Sequence, residues 1–251
     1  MSRVDQALFD ETNHYKGKPA DFFDKIISRR IEIVNQIQGF CDQNLSLVEI
    51  GCGNGASIFL LADKMKECIG IDIHQNHKKD FEDYRDKNGI KNCSFIVRNI
   101  ELDNKTDEQY DRLISFEVIE HLKDEKSIKI YYNLLKKGGI GAITVPNKSW
   151  IFETHGANLP LLPWNRIPFF SWLPKLLHEK WANARIYTKR RIRKLLENAG
   201  FEVVNICYVT APLDVLKEGN LKTFLTKYIF KNNTTKVPFK ATSIFVEIRK
   251  R

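Results

Sequence analysis

In the stretch FFDKIISRRIEIVNQIQGF, apolar residues recur at Phe23, Ile26, Ile27, Ile31, Val34 and Ile37. That spacing predicts a helix with one buried face, and residues 1–45 as a whole read as N-terminal helices. The period then changes. LSLVEI is a short apolar strand and GCGNGA a turn; SIFLLADKMK returns to a helical pattern and CIGIDI to a strand. NHKKDFEDYRDKNGI predicts a polar helix closed by Asn88-Gly89. CSFIVRNI is a third strand, and YDRLISFEVI a fourth that runs into a helix near EHLKDEKSIKIYYNLLKKGG. IGAITVP is a fifth, stopped by Pro146. YTKRRIRKLLENAGF predicts a helix ending at Gly200, and FEVVNICYV and ATSIFVEIRK the last two strands, with a helix between them. Strands alternating with helices imply an α/β fold with a mostly parallel sheet and right-handed crossovers.

Residues 150–181 break this rhythm. They hold all four tryptophans and four of the eight prolines, and the prolines forbid one long helix. Tryptophan beside lysine and arginine, as at Trp164 and Trp172, suits a lipid–water boundary. The segment therefore reads as an insertion that shapes an apolar acceptor pocket, touches a membrane or another copy, or adds a layer to the core.

A length of 251 residues suits one domain. Within 1–251 the expected parts are an N-terminal helical lid (1–45), a ligand-binding half (46–149), the insertion (150–184) and the C-terminal part of the sheet (185–251). No apolar run approaches the roughly 18 residues that cross a bilayer. The N-terminus lacks the pattern of a signal peptide, so a cytoplasmic protein is expected, with peripheral contact at the inner face of a membrane as an option. Five scattered cysteines without a C-x-x-C pair argue for reduced thiols rather than a disulfide framework. The net charge of +9 is uneven: residues 175–251 hold 17 Lys and Arg against 6 Asp and Glu. Such a basic third fits either an anionic partner or an ordinary lysine-rich surface.

The chemistry concentrates at Val48-Glu49-Ile50-Gly51-Cys52-Gly53-Asn54-Gly55, between the first strand and the first helix. Glycines there let a ligand press on bare backbone, and the following helix offers free N–H groups. Asp72, ending the second strand, is placed to accept from ribose hydroxyls. Taken alone, Gly51-x-Gly53-x-x-Ala56 also fits a dinucleotide site, and Tyr132-x-x-x-Lys136 matches the catalytic pair of short-chain dehydrogenases. That pair, however, lies one strand too early for those enzymes, and the glycine turn has the wrong form.

Taken in order, the motifs decide between these readings. Glu49-Ile-Gly-Cys-Gly-Asn-Gly55 resembles the E/D-x-G-x-G-x-G signature of class I S-adenosylmethionine-dependent methyltransferases. Gly70-Ile-Asp72 resembles their second-strand acidic position, and Tyr110 to Leu122 their fourth strand. Leu134-Leu-Lys-Lys-Gly138-Gly139 resembles their L-L-K-P-G-G turn with Lys137 in place of proline, and Ala199-Gly200-Phe201 their late AGF. The resemblance implies a Rossmann-like methyltransferase fold with a seven-stranded sheet, and S-adenosylmethionine as cofactor. It places Glu49, Gly51, Cys52, Gly53 and Gly55 around the methionine part, Asp72 on the ribose diol, and Ile73, Asn99 and Ile100 at the adenine. Asn99 stands where the family often has Asp; its side-chain oxygen still accepts a hydrogen bond. Ser115 to Glu117 would lie near the sulfonium, and Tyr15, Lys16 and the N-terminal helices would cover the cofactor.

Glu117, Glu120 and His121 gather on one face if a helix has begun there. E-x-x-E-H resembles the metal-holding motif of ubiquinone-biosynthesis O-methyltransferases and small-RNA 2′-O-methyltransferases. Two carboxylates and an imidazole suit Mg²⁺, Mn²⁺ or Fe²⁺, but the same E-H shapes the pocket in metal-free relatives, so both readings stay open. Glu117, His121 and His155 are the candidate catalytic residues. His74, His77 and His178 stand among polar or basic neighbours and read as surface residues. The expected reaction is O-methylation of a small-molecule, sugar or lipid-linked acceptor. An RNA methyltransferase and a non-enzymatic binding protein are the alternatives, nucleic acid being disfavoured because no N-P-P-Y or D-P-P-Y motif is present.

Overall fold

The computed structural model describes residues 21–102, 108–158, 163–164, 167–214 and 216–251. The lid positions Tyr15 and Lys16, and the Trp164 side chain, lie outside what is described. Chain order runs α1 (Lys25–Asn35), β1 (Asp42–Ile50), β2 (Met65–Asp72), α2 (Asn76–Lys87), β3 (Cys93–Val97), β4 (Tyr110–Phe116), α3 (Lys129–Leu134) and β5 (Leu135–Pro146). A two-residue pair, β6 (Ala157–Asn158) with β7 (Pro163–Trp164), is followed by α4 (Lys175–Trp181) and α5 (Lys189–Asn198). Then come β8 (Glu202–Thr210), α6 (Asn220–Phe224), β9 (Thr234–Thr235) and β10 (Ala241–Arg249).

The main sheet has the order β3-β2-β1-β4-β5-β10-β8-β9. Neighbouring strands among the first five are parallel, while β10 runs antiparallel between β5 and β8. The sheet thus has eight strands rather than the expected seven; the addition is the two-residue β9, paired with Tyr208 and Val209. Alternation along β4 divides the core. Ile114 and Phe116 join the cluster that includes Ile27, Ile31 and Val34 of α1, whereas Leu113 joins Tyr131, Ile192 and Leu196 on the other face. Each large apolar side chain so buried contributes about 1.5–3 kcal/mol. Strand order reverses at β1, which leaves a crevice at the carboxyl ends of β1 and β4, where α/β sheets bind ligands.

Three local expectations change. SIFLLADKMK forms two short 3₁₀ turns, Ile58–Leu60 and Ala62–Lys64, because Met65 and its successors are drawn into β2, with Met65 opposite Asp42. The helix expected from Glu120 onward breaks into 3₁₀ turns before the short α3, and Leu135 already belongs to β5. Phe23 lies ahead of α1 and is exposed, while Ile27, Ile31, Val34 and Ile37 are buried.

Candidate active site

A cavity of about 800 Å³ opens at the carboxyl ends of β1, β2 and β4, and is closed laterally by α1, the segment after β5 and residues 211–214. At one end, Gly51 and Cys52 donate backbone N–H groups to Ile71 O at 2.8 and 3.2 Å. Gly51 has φ +72°, and a Cβ there would sit 2.3 Å from Val118 Cγ2, so both conformation and space require glycine. Asp72 is fixed by two backbone donors, Gly53 N to Oδ2 and His74 N to Oδ1, both 2.8 Å.

Glu49 is buried, and its Oε2 has no hydrogen-bond partner. Burial pushes its carboxyl well above the ordinary range, and the Asp72 charge adds to this, while hydrogen bonds from the Ile58 backbone and the Ser57 side chain pull the other way. Cys52, Gly53, Ile73, Asn99 and Ile100 also line this end. Asn99 Oδ1 already accepts from Glu101 N at 3.0 Å. Two expected contacts move off the cavity. Gly55 packs against Phe59 and Phe81. Ser115 is fully buried on the opposite sheet face, its Oγ 2.9 Å from Tyr131 Oη; period-two alternation presents Phe116 to the cavity instead.

The other end is built around the turn after β4. Glu117 holds a left-handed φ of 59° and donates its N–H to Thr144 O. Its Oε1 accepts from Arg30 Nη2 at 2.9 Å, and the same nitrogen reaches Ser243 Oγ at 3.2 Å. The guanidinium lies over the Phe116 ring. Beyond this pair, Glu120, His121 and His155 bring one ligand atom each to within 4.8 Å of one another. Glu120 Oε1 is 3.6 Å from His155 Nε2 and 4.0 Å from His121 Nε2. The expected trio of Glu117, Glu120 and His121 is thus extended: His155 joins the last two, and Glu117, paired with Arg30, still adjoins Glu120. Glu120 is buried, and neither of its oxygens meets a donor. Burial, then the Glu117 charge, pushes its carboxyl well up. Burial pulls the His155 imidazole down, which favours the neutral ring; Thr154 Oγ1 lies 3.0 Å from its Nδ1.

His178, read as a surface residue, is fully buried. Its Nε2 is 2.8 Å from Glu153 Oε2, which also accepts from Ser171 Oγ, and Glu153 Oε1 accepts from the backbone N–H of His155. His74 and His77 are half-buried and line the cavity. Lys136 pairs with Asp111, and Tyr132 packs edge-on against Phe201, so the Tyr132-x-x-x-Lys136 match forms no dehydrogenase pair. All five thiols are free. Among the described residues no helix is long and apolar enough to cross a membrane.

Residues 41–206 match the family model of a methyltransferase domain. The chain belongs to the class I S-adenosylmethionine-dependent methyltransferases. It is 26% identical over 205 residues to a ubiquinone biosynthesis O-methyltransferase of Ruegeria pomeroyi, covering 76% of this chain and 77% of the relative. An S-adenosylmethionine-dependent methyltransferase of Clostridium acetobutylicum shares the fold, with a TM-score of 0.57 at 14% identity over 92% of each chain. So does coclaurine N-methyltransferase bound to N-methylheliamine and SAH, with a TM-score of 0.60 at 17% identity over 94% of this chain and 76% of that one.

Arg30, which lines this methyltransferase's cavity, and the buried Glu153–His178 pair behind it were missed from the motifs. Arg30 lies on α1, whose periodicity marks only the apolar positions, although Arg29 and Arg30 are both buried. The Glu153–His178 pair spans 25 residues, and the charged neighbours Lys175, Glu179 and Lys180 made His178 look like surface.

Proposed function

We propose that this methyltransferase moves the methyl group of S-adenosylmethionine to a hydroxyl oxygen of a small apolar acceptor, free or lipid-linked. The observation that carries the reading is the convergence of Glu120, His121 and His155 at the end of the cavity, beside apolar walls from Phe116, Trp150, Phe152 and Leu213. The likeness to an enzyme named for O-methylation supports it.

In this reading Glu49, Gly51, Cys52 and Gly53 surround the methionine part of the cofactor. The unpartnered Glu49 oxygen would face its ammonium, Asp72 would take the ribose diol, and Ile73, Asn99 and Ile100 would enclose the adenine. When bound, the cofactor would supply an activated methyl carbon for in-line attack by the acceptor oxygen, the electron pair of the breaking carbon–sulfur bond going to sulfur. Holding the two reactants aligned in a closed cavity supplies much of the acceleration. The hydroxyl proton passes to the neutral His155 ring, which general-base work requires. Glu120 stabilises the resulting imidazolium, and Arg30 fixes the Glu117 carboxylate at the cavity wall.

The donor set also fits a divalent metal. Glu120 offers buried oxygens, two imidazoles stand beside it, and such an O,N,N set suits Fe²⁺, Mn²⁺ or Zn²⁺ better than the oxygen-seeking Mg²⁺. Glu120, His121 and His155 would hold the ion, and an ion there acidifies a bound hydroxyl.

The test is transfer from labelled cofactor to phenolic and catecholic acceptors, with chelator and with added Fe²⁺, Mn²⁺ or Zn²⁺. His155→Ala and Glu120→Gln are expected to lower turnover about 10²-fold or more while cofactor affinity holds. Full turnover in both variants would refute the assignment. Undiminished turnover in chelator would remove the metal and leave His155 as sole base.

A further inference from the structure

After β8 the chain leaves the sheet, touches it again at the two-residue β9 and rejoins it along β10. The excursion carries α6, continued by one π turn, Leu225–Ile229. One side packs inward: Leu225, Leu216 and Phe230 lie against Trp150, Ala211 and Leu213, and the last three line the main cavity. The other side presents Leu221, Phe224 and Tyr228 to solvent, exposed by 68%, 54% and 60%. Large apolar side chains clustered on an outer face mark an interaction surface.

The charge around them narrows the partner. Residues 216–240 hold six lysines and a single acid, Glu218. A second cavity, of about 620 Å³, opens beside Ile229 and is lined by Lys189, Lys236 and Lys240 with Asn232, Thr234 and Thr235. No carboxylate lines it among the described residues. Lys189 Nζ is anchored, donating to Ile206 O at 3.1 Å above the Tyr208 ring. Ammonium groups in a cleft whose lining holds no carboxylate, beside polar Asn and Thr, suit a phosphate; the adjoining apolar face suits hydrocarbon. A phospholipid offers both, a phosphate and hydrocarbon in one molecule. A nucleic acid would leave Leu221 and Phe224 without a role, and an acidic protein would have to match both surfaces.

We propose that Leu221, Phe224 and Tyr228 dock this protein on an anionic phospholipid bilayer, with headgroup phosphates received in the cleft of Lys189, Lys236 and Lys240. The docking face is then separated from the wall of the main cavity only by the Leu225, Phe230 and Trp150 layer. This inference is independent of which acceptor is methylated.

The experiment is flotation of the full chain with vesicles of phosphatidylcholine alone, and of phosphatidylcholine mixed with phosphatidylglycerol. Binding is expected on the mixed vesicles only, and it falls as salt screens the headgroups. Phe224→Glu with Tyr228→Glu should lower binding about tenfold or more. Lys236→Glu with Lys240→Glu should do the same, each lysine being worth about fivefold at an anionic surface. Both double variants keep the wild-type heat of S-adenosylhomocysteine binding, which shows that they fold. The proposal falls if the wild type does not float, if it floats equally on neutral vesicles, or if either double variant floats like wild type. Displacement by inorganic phosphate, with Phe224→Glu silent, would make the cleft a free-anion site and overturn the docking. A dimer in sedimentation velocity that Phe224→Glu dissolves, without flotation, would assign the face to a second copy. Salt-sensitive RNA retention lost only with the lysines would assign it to nucleic acid.

Discussion

Glu153 joins His178 to His155: one carboxylate oxygen lies 2.8 Å from the His178 ring nitrogen, and the other accepts the backbone N–H of His155 at 3.1 Å. Helix α4 is therefore tied through a fully buried contact to the loop that carries the candidate base. Replacing His178 by Ala leaves Glu153 buried with one partner fewer and opens a void. A loss of about 3–5 kcal/mol is expected in urea unfolding. Because the same carboxylate orients the His155 loop, turnover should fall more than cofactor affinity. His178→Gln, which can still donate to Glu153, should recover part of both.

Arg30 acts on the two carboxylates differently. It pairs with Glu117, and its charge also holds the Glu120 carboxyl below where burial and Glu117 alone would push it. Under the proposed reaction Glu120 works ionised, so the acid limb of the turnover profile should lie above the ordinary carboxylate value of about 4.3. Arg30→Ala should move that limb to higher pH and reduce turnover on its acid side. A pH–rate series at saturating cofactor measures it. An unmoved limb would disconnect Glu120 from the rate.

Glu49 and Glu120 both have folded-state pKa values raised by burial. Their protonated forms favour the folded chain, fully so below the unfolded value of about 4.3, and this contribution is lost as pH rises through the raised folded values. Cofactor-free protein should therefore lose stability across that window, and Glu49→Gln should flatten the slope in denaturant titrations. Binding of the cationic cofactor should run the other way, tightening as Glu49 ionises. Calorimetry at several pH values would expose this, and a pH-independent affinity would deny Glu49 its place at the ammonium.

Asp72→Ala removes the acceptor of two backbone N–H groups, Gly53 and His74. A stability loss of about 1–3 kcal/mol and a cofactor affinity about tenfold lower or worse are expected. Asp72→Asn, which keeps one carbonyl oxygen, should be intermediate in both measurements.

What could be read from the chain was what neighbouring residues determine. The five parallel strands, the glycine turn and Asp72 are local patterns, and the structure carries them where the sequence places them. The 57–66 segment went astray because Met65 and its successors gain ladder hydrogen bonds with β1, and sheet pairing overrode helical period. His178 sits among Lys175, Glu179 and Lys180, which look like solvated surface. The residue that draws it inward, Glu153, stands 25 positions earlier. Burial of Arg30 was equally invisible, since guanidinium groups usually stay outside and its partners are Glu117 and Ser243. Ser115 was placed near the sulfonium by the resemblance, whereas alternation along β4 puts it one residue out of phase with the face that meets the cavity.

The antiparallel β10 sits between β5 and β8, yet it comes after every other strand of the sheet in chain order. Until Ala241–Arg249 has been synthesised, β5 and β8 each expose an unpaired ladder edge, a template for misassociation. Arg30 meanwhile lacks the Ser243 hydroxyl that helps to hold it. Biogenesis of this protein thus has a built-in late step: a nascent chain halted short of β10 would carry every glycine of the cofactor turn and still present two adhesive borders to whatever surrounds the ribosome.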